Sequence, residues 1–135
     1  MIEIDPVVLL ESLEESVDST IFDRGLRYHH SGRVTSVKFL DDPYSHKNPN
    51  YVRVSGVVSG SRTYKTVLGL DDSTVLDYEC SCPYDMSDEP CKHIIALGIT
   101  LADCIGQGKL TTHKIRGQVP LPPRLKWEGM SLWVN

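Results

Sequence analysis

The sequence predicts an α+β fold: two N-terminal helices, a small antiparallel sheet of three to four strands, and a further helix C-terminal to the sheet. Three observations carry this expectation. Apolar residues recur at helical spacing up to about residue 32. From there to residue 80 the period falls to two, in short runs parted by turn formers. An apolar stretch, "HIIALGITLADCI", then covers a broad helical face.

Asp5 followed by Pro6 is an N-cap with a first-turn proline, and Val7, Leu10, Leu13 and Val17 recur behind it, so a first helix is expected from about 6 to 17. A second starts near Asp18 or Ser19, sets Ile21, Phe22 and Leu26 on one side, and stops at Gly32. His29 and His30 are neighbours on that helix and point in different directions, so they read as packing or surface residues and not as paired ligands.

"RVTSVKFL" (33–40), "YVRVSGVV" (51–58) and "TYKTVLGL" (63–70) alternate as strands, the last two as a hairpin across "SGSR". "DDST" leads into a fourth, "VLDYEC" (75–80). Connections this short exclude helical crossovers, which makes antiparallel pairing the economical arrangement. The closing helix starts at about Lys92 and ends at Gly106.

With 135 residues and 40% hydrophobic content, the chain reads as one domain over 1–108 with an extended, basic and proline-rich tail over 109–135. The prolines of "VPLPPRLKW" exclude a long helix in that tail. Charge is uneven: residues 1–90 hold 8 basic and 16 acidic side chains, residues 91–135 hold 6 and 2. No apolar run approaches the roughly 18 to 20 residues of a membrane span, and the N-terminus lacks the basic segment of a secretory signal. A cytoplasmic location is therefore expected, where clustered cysteines read as metal ligands or catalytic thiols before they read as disulfides.

"CSCPYDMSDEPCKH" (80–93) holds three of the four cysteines and one of the five histidines. Cys80 and Cys82 leave a strand, where i and i+2 share a face and both sulfurs can aim at one centre. Within a regular helix i and i+2 diverge by about 200°, so Cys91 is expected just outside the last helix, with His93 in its first turn. "PYDMSDEP" reads as a loop that lets the two pairs meet. Three thiolates and one imidazole form a closed set for structural zinc, with no open position for water or substrate. The other readings are an iron–sulfur or redox-disulfide role and unligated core cysteines. A C-x-x-C pair is absent. Cys104 lies about 16 Å down the helix axis from His93, too far to ligate, and reads as a small buried residue.

Cys80-x-Cys82, eight residues, Cys91-x-His93 and an apolar helix directly behind resemble the SWIM-type zinc finger, with "CSCPY" and "CKHIIAL" as the specific part. "FDRGLRYHHSGRV" and the alternating strands resemble the segment before the finger more weakly, so residues 20 to about 105 are covered. The resemblance implies a binding module with structural Zn²⁺ on Cys80, Cys82, Cys91 and His93, a DNA-binding or protein-interaction role, and an accessory place beside Swi/Snf-type helicases or other DNA-associated machinery. A G-x-x-x-x-G-K-[ST] loop is lacking, so the chain is not itself the ATPase.

Two functions follow as expectations. As a nucleic-acid module, the chain would use Lys92, Arg62 and Lys65 and the tail's Lys109, Lys114, Arg116, Arg124 and Lys126 for phosphates, with Tyr84 or Trp127 for stacking. As a protein-interaction adaptor or dimerisation module, it would dock a helicase, a recombinase or another copy through its acidic first helix or its tail. No membrane partner is expected. Asp71 with Asp72, Asp85 with Asp88 and the scattered histidines form no nucleophile–base pair, so no enzyme is predicted.

Overall fold

The computed structural model describes residues 4–40, 48, 50–83 and 89–107, and the backbone of 117–119. Tyr84, Asp85, Asp88 and the tail residues Lys109, His113, Lys114, Arg116, Arg124, Lys126 and Trp127 lie outside these residues.

The Asp5 carboxylate accepts from the backbone N–H groups of Val7 and Val8 and starts α1 (Pro6–Ser16), as its cap-and-proline signature predicts. Asp18 does the same for Ile21 and starts α2 (Ser19–His30). At the end of α2 the Gly32 N–H donates to the His29 carbonyl and the Arg33 N–H to the Tyr28 carbonyl, the paired bonds of a Schellman motif. Gly32 has φ +74°, so glycine belongs there.

Four strands follow: β1 (Val34–Leu40), β2 (Tyr51–Ser59), β3 (Thr63–Asp71) and β4 (Thr74–Cys80). They are antiparallel throughout, and the short β5 (Gly117–Val119), within the region expected to be an extended tail, pairs with β1. The sheet order is β4-β3-β2-β1-β5. The α+β architecture is the expected one, with β5 as an addition. Asp72 and Ser73 both take positive φ in the two-residue turn between β3 and β4, the geometry that suits a tight hairpin. Ser73 is held there by accepting from the Asp5 N–H at 2.8 Å.

The closing helix, α3 (Lys92–Gly106), is buried from His93 to Cys104 and not along one face only. The sheet covers it from one side: a Cβ on Gly56 of β2 would collide with Leu97. The other helices cover the rest. A Cβ on Gly98 would meet Leu13 of α1, and one on Gly25 of α2 would stand 2.5 Å from the Ile95 Cγ2 and 3.1 Å from the Lys92 carbonyl oxygen. Ile94, Ile95, Leu97, Ile99, Leu101, Leu68, Val54 and Leu13 form the centre of one continuous core. Cys104 is fully buried in it, as expected.

One polar cluster interrupts this core. His29 on α2 and Asp103 on α3 are almost fully buried and face each other, Nε2 to Oδ2, at 3.3 Å. The Thr100 hydroxyl donates to the Ala96 carbonyl at 2.8 Å and stands 2.7 Å from His29 Nδ1, while Asp103 Oδ1 accepts from Gln107. His29 is thus a packing residue, as expected, but one that pins α2 to α3 through polar contacts. Among the described residues, neither Nε2 nor Oδ2 has a further hydrogen-bond partner.

Two consequences are measurable. Gly25→Ala gains up to about 1 kcal/mol of helix propensity but overpacks the α2–α3 contact by about 1 to 3 kcal/mol, so the urea midpoint is expected to fall. His29→Ala strands the Asp103 carboxylate in the core and is expected to cost about 3 kcal/mol in the same measurement, with zinc content unchanged.

Candidate metal centre

Cys80 is the last residue of β4, paired with Thr66 on β3. The ladder is prolonged by one side chain: Ser81 donates its N–H to the Lys65 carbonyl, and the Lys65 N–H donates to Ser81 Oγ, both at 3.0 Å. With Ser81 clamped in this way, the sulfurs on either side of it are left facing inward, and Cys80 and Cys82 are each 5% exposed. Cys91 is the N-cap of α3, in extended backbone conformation just outside the helix, and His93 lies in the first turn. Both placements are the ones the spacing predicts.

The four donor atoms lie within 4.8 Å of one another, and all four residues are buried. His93 Nδ1 is 3.7 Å from Cys80 Sγ and 3.6 Å from Cys91 Sγ. One ring nitrogen standing equally far from two sulfurs describes the edges of a coordination polyhedron better than a hydrogen bond. Zn–S bonds of about 2.3 Å and a Zn–N bond of about 2.05 Å at tetrahedral angles give S···N edges of about 3.6 Å. The donor set therefore fits zinc, with Nδ1 as the imidazole donor.

Cys80 and Cys91 face each other across the site. The hydrogen bond from Cys80 pulls the Cys91 thiol down to about 4 against the opposing effect of burial. That same bond, with burial second, pushes the Cys80 thiol far up. A dication held by the four donors would stabilise both as thiolates.

Two tyrosines fix the imidazole, and neither was legible as a site residue in the sequence. Tyr64 lies tilted against the His93 ring at 4.4 Å between centroids, and Tyr28 meets it edge-on at 5.3 Å. Tyr64 had a signal: it shares the inward face of β3 with Thr66, Leu68 and Leu70. Tyr28 had none, because its contact joins α2 to α3. Gly60 in the β2–β3 turn closes the site, since a Cβ there would come 3.0 Å from Tyr64 Cε2 and 3.5 Å from His93 Nε2.

Among the described residues this is the one group of three or more potential ligands that converge. Cys104 is not part of it. Asp71 accepts from Asn48 at the distant β3–β4 turn. Lys92 lies half-buried between the last two donors, whereas Arg62 and Lys65 are exposed on the hairpin.

Metal-binding energies in such small sites, about 10 to 16 kcal/mol, equal or exceed the whole stability of an ordinary domain, about 5 to 15 kcal/mol. Cys82→Ala is therefore expected to lose both the metal and the cooperative thermal transition, as is chelation of the wild-type protein. Cys104→Ser is expected to keep one zinc per chain by elemental analysis.

Residues 64–101, from the inward Tyr64 through all four donors and into α3, match the family model of the SWIM zinc finger. No curated protein and no solved structure matches the chain. Cys80, Cys82, Cys91 and His93 lie close together as a zinc site within the segment that matches the SWIM zinc finger.

Proposed function

We propose that the chain is a non-catalytic nucleic-acid-binding module, accessory to DNA-associated machinery, in which Cys80, Cys82, Cys91 and His93 together ligate one structural Zn²⁺. The supporting observation is the segregation of charge in a chain whose formal net charge is −4. From Arg24 to the end of α2, at Arg33, and along β1, β2 and β3 up to Leu70 with the β2–β3 turn, the chain carries Arg24, Arg27, Arg33, Lys38, Arg53, Arg62 and Lys65 and no carboxylate, although Asp23 directly precedes Arg24 and Glu79 of β4 comes within 4.0 Å of Arg53. Among the described helices and strands, acidic side chains are on α1 with Glu11, Glu14 and Glu15, on α2 with Asp23, on α3 with Asp103 and on the β3–β4 hairpin with Asp71, Asp72, Asp77 and Glu79. Among the basic residues, Arg27, Arg33, Arg62 and Lys65 are exposed and offer positive charge to a polyanion.

A closed four-donor site makes the zinc a scaffold. Its role is to hold the hairpin, the end of α2 and the start of α3 in one geometry, so that their side chains act together. The second reading is a protein-interaction adaptor, supported by the exposed face of α1, where Val7 is 54% exposed beside Glu11, Glu14 and Glu15. A helicase or recombinase would be the kind of protein it docks.

Titration of labelled single- and double-stranded oligonucleotides with zinc-loaded protein separates the two. Micromolar or tighter binding at about 50 mM salt, weakening steeply toward about 200 mM, is expected. Complete absence of binding at low salt would leave the adaptor reading in its place.

A further inference from the structure

We propose that Arg33 and Lys92, both held on the ring of Tyr28, form the point at which the module grips a phosphodiester backbone; this rests on the nucleic-acid reading above. The Arg33 guanidinium carbon is 5.1 Å from the centre of the Tyr28 ring and the Lys92 ammonium nitrogen 5.3 Å. Two long cationic side chains from separate elements are thus gathered on one aromatic ring, where the ring's negative faces hold them.

The backbone beneath them is equally fixed. Lys92 is flanked by Cys91 and His93, so its Cα follows the zinc site. Arg33 follows the Schellman cap of α2, and its Nη1 donates to the Ser59 carbonyl at 3.2 Å. Tyr28 itself abuts His93, and its hydroxyl oxygen would be 3.3 Å from a Cβ on Gly60. Lys92 is thus tied to the metal centre through its neighbours and both cations through Tyr28, while Arg33 is also held by the Ser59 carbonyl, which leaves little rotamer freedom to be lost when an anion arrives.

Arg33 is exposed and Lys92 half-exposed, so the charges remain reachable. Exposed Arg27 stands one residue before Tyr28, and exposed Arg62, whose carbonyl accepts from the Gly60 N–H, stands beside Gly60. Several exposed cations around one aromatic ring suit an anion that carries more than one phosphate. Guanidinium adds the fork geometry that takes two phosphate oxygens at once.

The test uses the full zinc-loaded chain, fluorescence anisotropy with a labelled duplex and a labelled single strand, and a salt series. The Arg33→Gln/Lys92→Gln pair is expected to weaken binding about tenfold or more and to flatten the slope of log K against log salt by about 1.4 to 1.8, the release expected for two phosphate contacts. Asp72→Asn, exposed in the β3–β4 turn, is expected to leave both unchanged. Should the double variant lose zinc, Arg33→Gln alone carries the test with about half the change in slope. A double variant with wild-type affinity and slope would overturn this surface while leaving nucleic-acid binding in place. Failure of the zinc-loaded wild type to bind either oligonucleotide would overturn both. Displacement by a polyglutamate peptide as effective as by an oligonucleotide of equal charge would overturn the phosphate assignment in favour of an acidic protein partner.

Discussion

Four donor atoms sharing one centre tie the end of a sheet to the start of the helix that the sheet covers. Cys80 closes β4 and Cys91 opens α3, eleven residues later. Helix α3 is the axis of the core, with α1, α2 and the sheet all packed on it. Where it begins and which way it runs are set at the metal. In a domain of this size the apolar burial can favour a compact state, but a helix buried all round has no polar face to fix its rotation. Fixed points do that instead. The zinc site is one, and the His29–Thr100–Asp103 cluster, two to three turns further along, is the other.

Much of this was written in the sequence, for identifiable reasons. Asp5-Pro6, Asp18 and Gly32 mark helix ends by local chemistry, and each has the predicted capping role or lies within a residue of it. Strands β1 to β4 show because alternation is a local property, and they fall within a residue of the expected limits. The C-x-C and C-x-H spacings show because two-residue steps mean different things at a strand exit and a helix entrance.

What could not be read depends on contacts between distant segments. "HIIALGITLADCI" announces an apolar helix, yet nothing in it says that Thr100 and Asp103 are buried too; that requires His29 on the facing helix. Tyr28 lies in a stretch whose amphipathic pattern explains it as an ordinary helical residue, and only the packing of α2 on α3 brings its ring to His93. Strand β5 is three residues long and pairs with β1 from a region whose prolines argue for open chain. Length that short carries no periodic signal.

The Asp5 N–H bond to Ser73 bears on how the molecule can be instrumented. Ser73 sits at the far end of β3 from the β2–β3 hairpin, and nine residues of strand span roughly 27 Å. A fluorophore or fused reporter joined ahead of Asp5 therefore emerges from the carboxylate-rich pole, a full strand's length from Gly60 and the imidazole. Such a probe can serve as a ruler to the opposite pole without intruding on whatever docks there.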